Sequence, residues 1–407
     1  MKNARKFLLL VILFVTPIVT VMAAGELLLR AAPELIGLSL LDRFPKEIKS
    51  RVAARLGLPN QFDHNVIRSA ERHFPGPDIY LPKPNSRYQQ LMQAEDVNVG
   101  ATEDVRVDDF GFCNTTPVLG QYDIVVVGGS IPNCIGVLSK DTFPAMVGQM
   151  LGRSAYNLTL NGGGPFEYDE ILSRELARLK PRLVIMMFAE ANDLWDCRKS
   201  QEFAAGKASS SRYDKEWPWP FTSSLALSFI KAGMEVGIKS LRAKGQPDFT
   251  YSVATREGRV NLNVGNRDTY ELDDAKSLSA GQLSPNVCEP ALKAFLELSR
   301  QYHFKPAVMP IPAPYNLYYQ SVAFKDPAFR ELMSEYGAAQ RSWLSTQSGT
   351  LGFELIDAYG VLSAEASRSE LLYFPVNNHP TVAGHRNFAK RAVPMVKLIL
   401  ENLLPKQ

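Results

Sequence analysis

The sequence is poor in the residues that announce metal, redox or nucleotide chemistry. In 407 residues there are four cysteines and five histidines. Cys113, Cys134, Cys197 and Cys288 are too widely spaced for a zinc pattern, and neither H-E-x-x-H nor C-x-x-C occurs, so no metal site is expected. Neither G-x-G-x-x-G nor a P-loop lysine follows the first apolar run, which removes the best evidence for dinucleotide or triphosphate binding and leaves no cofactor expected. The serine after that run does not sit in a G-x-S-x-G elbow either. Charge of one sign is not in excess. The formal net charge is +3 and the basic residues are scattered, so the chain has no electrostatic footprint for nucleic acid. Internal repeats and low-complexity tracts are missing. What remains is an ordinary globular composition, 45% hydrophobic and 21% charged, able to fill one large or two modest domains.

One long uncharged run is present at the N-terminus. Lys2, Arg5 and Lys6 precede Phe7 to Ala24, a run about long enough for a helix to cross a hydrocarbon core of roughly 30 Å. Positive charge before the run holds that end in the cytoplasm and sends the rest of the chain out. Val21 and Ala23 also satisfy a small-residue cleavage pattern, so a removed signal peptide is the alternative. The run exceeds the usual signal-peptide length, which favours an anchor. Residues 1–30 are expected to be a cytoplasmic tip and membrane helix, 31–105 a juxtamembrane region, and 106–407 the main domain. In an oxidising compartment the four cysteines could pair.

From Tyr122 onward, short apolar runs alternate with helical patterns. "YDIVVVGG", "AYNLTLNGG", "PRLVIMMFAEAND", "KPAVMPIPAP" and "FELIDAYG" read as strands, and "PFEYDEILSRELARLKP" as a helix between the second and third. Continuous apolar strands joined by helices imply an α/β fold with a parallel sheet covered on both faces. Chemistry in such sheets gathers at the carboxyl ends of the strands. Ser130 follows the first strand, Asn161–Pro165 ("NGGGP") the second, Glu190–Asp193 ("EAND") the third, and Asn377–His385 ("NNHPTVAGH") lies past the last. Together they supply a serine nucleophile, a glycine turn with free N–H groups, the Asn192 amide and an imidazole base, the parts that acyl transfer needs. Each has a plainer reading: Ser130 as a helix N-cap before Pro132, the glycines as a tight turn, Asn192 as an Asx turn, His379 as a cap and His385 as a packing residue.

A long insertion, about 195–284, separates the third and fourth strands. It carries "WPWPF" (Trp217 to Phe221), an apolar helical stretch, and a hairpin expected around Glu257-Gly258. Its aromatics read either as a lid that grips substrate or as anchors that fix the insertion to the body.

The order of segments resembles the SGNH, or GDSL-type, hydrolase superfamily, from about Asp108 to the C-terminus. The lead-in "VDDFGFCN" (Val107 to Asn114) is similar to the segment before the serine block in membrane-anchored bacterial members. The resemblance implies an α/β/α sandwich with a flavodoxin-like parallel sheet of about five strands. It makes Ser130 the nucleophile and His379 the base, with the Ser130 and Gly162 N–H groups and the Asn192 amide as oxyanion donors. It also implies an acyl-ester or carbohydrate substrate met outside the cytoplasm, at a bacterial inner membrane that the chain crosses once. Two alternatives accompany this reading: an O-acyltransferase for a surface polysaccharide, which would need a multi-spanning acyl-donor partner, and a degenerate domain that binds glycans without turnover.

The chain departs from the family pattern at two chemically important places. Gly128-Gly129-Ser130 stands where the family has Gly-Asp-Ser, and Val376 where it places an aspartate three residues before the histidine. Asn377 or Asn378 is then the nearest side chain to orient His379, and loss of such a carboxylate can cost about 10⁴ in turnover. Glu190 also occupies a position where glycine is common.

Overall fold

The computed structural model describes residues 2–115, 118–207, 219–243, 248–263 and 270–403. In chain order the elements that frame the argument are α1 (Lys2–Ala31), β1 (Ile124–Gly128), α2 (Phe143–Leu151), β2 (Ala155–Thr159) and α3 (Pro165–Leu179). They continue through β3 (Leu183–Ala189), α4 (Asp193–Ala204), α5 (Leu225–Ala243), α6 (Glu289–Tyr302), β4 (Lys305–Ile311), α7 (Ala328–Leu351), β5 (Glu354–Leu355) and α8 (Val382–Asn402). The chain divides into two compact units, Met1–Asp63 with Ser211–Gln246, and His64–Ser210 with Pro247–Gln407.

In the larger unit the five strands form one wholly parallel sheet in the order β2-β1-β3-β4-β5. All five strands expected from the sequence are in it. β1 and β3 are buried along their whole length, which is why they read as unbroken Val/Ile/Leu/Met runs rather than as alternating ones. The path reverses after β2, and right-handed crossovers therefore put α2 and α3 on opposite faces. α8 packs against α2 and α6 against α3, completing two helical layers. The reversal point lies between β1 and β3, so their carboxyl ends, bearing Ser130 and Asn192, open onto the crevice where such sheets bind ligands.

Residues 64–105 fold with this unit. They form two small antiparallel pairs, His64–Ile67 with Ile79–Pro82 and Arg87–Gln89 with Asp104–Arg106. The lead-in motif is built by Asp108, wholly buried, whose Oδ1 accepts the Phe110 and Phe112 N–H groups and whose Oδ2 accepts from Asn114 Nδ2 and the Tyr156 hydroxyl. Asn114 in turn brackets the Asn157 main chain, tying the motif to β2. The expected hairpin is also there, Tyr251–Thr255 against Gly258–Leu262 with its turn at Arg256-Glu257. Two disulfides, Cys113–Cys134 and Cys197–Cys288, use all four cysteines.

In the smaller unit, Leu13–Ala31 of α1 is a 19-residue stretch of mean hydropathy 1.6, long and apolar enough to cross a membrane. Anchors and signal sequences share that property. α5 packs Leu225 and Ala232 into a cluster with Leu29, Ile36, Leu41, Phe44, Ile48 and Val52. The insertion is thus divided: Ser211–Gln246 belongs with α1, the hairpin with the sheet. Trp217 lies outside the described residues, and Trp219 is 81% exposed, so it does not anchor the insertion to a core.

Glu190 is structural. Its buried carboxylate accepts from Ala313 N–H (3.1 Å) and Asn316 Nδ2 (3.0 Å) and pairs with Arg341, which also stacks on Tyr359 at 3.7 Å. A glycine here would leave a guanidinium and an amide buried without their partner. Glu190→Ala is therefore expected to lower the unfolding free energy by about 3–5 kcal/mol, the cost of stranding one half of a buried ion pair. Denaturant titration of the purified chain measures it.

Candidate active site

β1 ends in two glycines because the space beside the chain is occupied. A Cβ on Gly129 would lie 2.7 Å from the Tyr168 hydroxyl oxygen. That hydroxyl donates to Asp193 Oδ1 (2.7 Å), and Asp193 Oδ2 accepts the Ala189 N–H (2.9 Å). The place where the family pattern puts an aspartate side chain is thus filled by a buried tyrosine–aspartate pair from α3 and α4. Burial pushes the Asp193 carboxyl well above the usual carboxylate range, with Asp196 adding to it.

Ser130 itself is half-buried and is not a helix cap. Residues 131–134 form a turn, Asn133 N–H donating to the Ser130 carbonyl (3.2 Å), and the first α-helix afterwards starts only at Phe143. The Cys113–Cys134 bridge holds this turn to the lead-in motif.

Gly162 and Gly163 follow β2 with φ of 84° and 108°, a region that side-chain-bearing residues rarely adopt. The turn is braced from below. Gly164 N–H donates to Glu167 Oε2 (3.0 Å), and Glu167 Oε1 pairs with Arg72 (2.8 Å) in an ion pair almost wholly out of water. At the end of β3, Asn192 donates one amide N–H to Asp196 Oδ2 (2.9 Å), which fixes the amide plane.

His379 lies in the loop before α8, itself N-capped by Thr381 (Gly384 N–H to Oγ1, 3.1 Å). The loop turns back on itself: His379 N–H donates to Asn377 Oδ1 (2.9 Å), and His379 Nδ1 stands 2.8 Å from the Asn377 carbonyl oxygen. A carbonyl only accepts, so Nδ1 carries the proton and Nε2 presents its lone pair. Nε2 is buried and has no hydrogen-bond partner among the described residues. Burial, the larger influence, pushes the imidazole down to about 4 against the raising effect of the Asn377 carbonyl. The residue as a whole keeps some exposure, but the nitrogen that would do chemistry has none.

The side chains of Asn377 and Asn378 thus leave the ring to a main-chain group. Asn377 spends its side-chain oxygen on a backbone N–H, and Asn378, at φ 56°, donates its amide to Asn263 Oδ1 (2.7 Å) on the hairpin. Behind the loop stands Asp96, from the short helix Ala94–Asn98, fully buried, with Oδ1 accepting Val376 N–H (2.8 Å). A carboxylate is therefore present below the position where the family pattern has one, brought from sequence nearly three hundred residues upstream. The serine and histidine loops pack together, since a Cβ on Gly136 would meet Phe374 Cε2 at 2.6 Å and Phe374 N–H donates to the His379 carbonyl. On α8, His385 Nδ1 accepts Phe143 N–H (3.1 Å), and burial followed by the nearness of His379 pushes His385 down to about 3.

Sequence reasoning missed Asp96, the Tyr168–Asp193 pair and Arg72–Glu167. The visible signal is the cluster of three acids, Glu167, Asp169 and Glu170, among the apolar and aromatic residues of "PFEYDEIL", all of them buried.

No protein-family model and no curated protein matches the sequence. Solved structures it is similar to include proteins described as GDSL-family lipolytic proteins and a carbohydrate esterase. A member of the lipolytic protein G-D-S-L family from Veillonella parvula is 10% identical (67% of this chain, 96% of that one, TM-score 0.36). A GDSL-like lipase from Bacteroides thetaiotaomicron is 11% identical (71% and 93%, TM-score 0.33). A carbohydrate esterase family 2 enzyme with a carbohydrate binding domain, from Corynascus thermopiles (Myceliophthora fergusii), is 11% identical (73% and 71%, TM-score 0.36).

Asp96→Ala strands the Val376 N–H and should cost about 1–3 kcal/mol. Denaturant unfolding gives the loss, and ¹⁵N imidazole shifts of the folded variant should show His379 losing its fixed Nδ1–H tautomer. Unchanged shifts would mean that Asp96 does not position the ring.

Proposed function

We propose that this chain is an SGNH-type serine esterase that cleaves acyl esters, carried by carbohydrate, outside the cytoplasm. The observation that carries the reading is the state of His379, whose Nδ1 is committed to a main-chain carbonyl and whose buried Nε2 has no hydrogen-bond partner among the described residues, Ser130 included. In the proposed reaction Ser130 Oγ attacks the ester carbonyl while His379 Nε2 takes its proton. The oxyanion forms against the Ser130 and Gly162 N–H groups and the Asn192 amide. Collapse breaks the bond to the alcohol oxygen, which leaves with the proton from the imidazolium. Water then repeats the sequence to free the acid and Ser130. The Asn377 carbonyl holds the tautomer as an aspartate would but offers a dipole in place of a charge, so turnover should be modest. The pairing of all four cysteines and the apolar α1 support export, with α1 as a single-pass anchor.

Fluorophosphonate labelling of the purified chain tests the nucleophile. Labelling should occur at Ser130 and vanish in Ser130→Ala and His379→Ala, and Asn192→Ala should lower ester turnover by about 10² or more. No labelling, together with glycan-induced thermal stabilisation, would replace the enzyme with a binding module. Release of the acyl group to added oligosaccharide rather than to water would make it a transferase.

The buried imidazoles set the pH behaviour. A base held near 4 stays neutral in mild acid, so the acid limb of kcat/KM should fall near pH 4 rather than near 6.5. The folded pKa of His379 lies below its unfolded value, so the unfolded chain binds the extra proton first. Stability should therefore decline as pH drops from about 6.5 toward 4. A pH series of unfolding curves for the parent and His379→Gln checks this, the variant having the shallower slope.

A further inference from the structure

α5 has two apolar faces, and only one is covered. Leu225, Phe229 and Ala232 pack into the cluster of the smaller unit. On the opposite side Ile230, Met234, Ile238 and Leu241, spaced by four, four and three residues, form a stripe that is 45%, 60%, 47% and 66% exposed. Trp219, just before the helix, is the most exposed aromatic side chain among the described residues. A soluble surface seldom carries a contiguous row of large apolar groups unless something binds there.

The place of α5 within its unit names the occupant. Glu26 of α1 closes the N-terminus of α5: its Oε2 accepts Ala226 N–H (2.9 Å) and the Ser224 hydroxyl (2.9 Å), while Arg30 donates to its Oε1 (2.7 Å). The two helices touch beside it, a Cβ built on Gly25 lying in ordinary contact with Ala226 Cβ at 3.9 Å. α5 therefore starts where the apolar run of α1 ends. Leu27 and Leu28 of α1, next to Glu26, are exposed as well, so α1 presents apolar side chains to solvent beside the start of α5.

We propose that α5 is an interfacial helix that lies on the bilayer crossed by α1, its Ile230–Met234–Ile238–Leu241 face in the acyl boundary and Trp219 at headgroup depth. Apolar residues on one side of a surface helix and an aromatic at its edge are what that boundary selects. The proposal rests on reading α1 as a retained anchor. It makes the smaller unit a membrane-seated one.

The test uses the full chain, with Trp217→Phe as background, in phosphatidylethanolamine–phosphatidylglycerol nanodiscs whose acyl chains carry bromine. Bromine should quench a share of the tryptophan emission, and Trp219→Phe should remove about half of that share or more. Met234→Glu with Ile238→Glu, on the exposed face of α5, should keep the helical circular dichroism and also lose the quenching. Quenching indifferent to both changes, in a chain that resists carbonate extraction, overturns the interfacial helix and leaves the anchor standing. A chain cleaved after Ala24 and released from membranes overturns both. Photocross-linking from position 234 to a protein instead of lipid assigns the face to a protein partner and overturns the lipid assignment.

Discussion

The candidate site depends on one hydrogen bond, from His379 Nδ1–H to the Asn377 carbonyl. It decides which nitrogen carries the proton, and hence whether the buried Nε2 is a base or a donor. An amide side chain in the same place would have been free to flip and to offer its NH₂; a main-chain carbonyl has no such freedom. The bond survives because the loop around it has little slack. Asn377 caps it with its side-chain oxygen, Asn378 is gripped by Asn263 in a left-handed conformation, and Asp96 holds the Val376 N–H that precedes both. Rigidity of the loop does what a dedicated carboxylate does elsewhere, except for the charge.

That missing charge has a consequence for His385. It sits near His379, its Nδ1 engaged by Phe143 N–H and its Nε2 buried. Two adjacent imidazoles out of water repel when both are protonated, and burial already opposes the first proton. The pair is therefore neutral across the ordinary pH range. Among the described residues no carboxylate hydrogen-bonds either ring, so a protonated imidazole at either position has no charged partner there.

The architecture was legible because it rests on local pattern. Buried parallel strands are continuous apolar runs, and the turns after them are punctuated by Gly, Asn and Pro, so β1 to β5 and α3 could be read directly. The division of the chain was less legible. Residues 64–105 carry no strong periodicity, yet they fold with the sheet through Arg72, Asp96 and the short strand pairs. The orientation of His379 was hidden for a different reason. Main-chain groups are the same at every residue, so no choice of side chain announces that a carbonyl will take the role, whereas the search from Val376 outward could consider only the Asn377 and Asn378 amides.

The three departures from the family pattern share one physical form. At Gly129 the space for a side chain is taken by Tyr168; near Val376 a carboxylate arrives from Asp96 instead of from the adjacent chain; at Glu190 a charge is present because Arg341 is there to meet it. In each case the group that completes the arrangement comes from outside the four sequence blocks, Tyr168 and Asp96 buried and Arg341 mostly so, where an unmatched polar group is costly. A buried position can change residue type only together with whatever faces it.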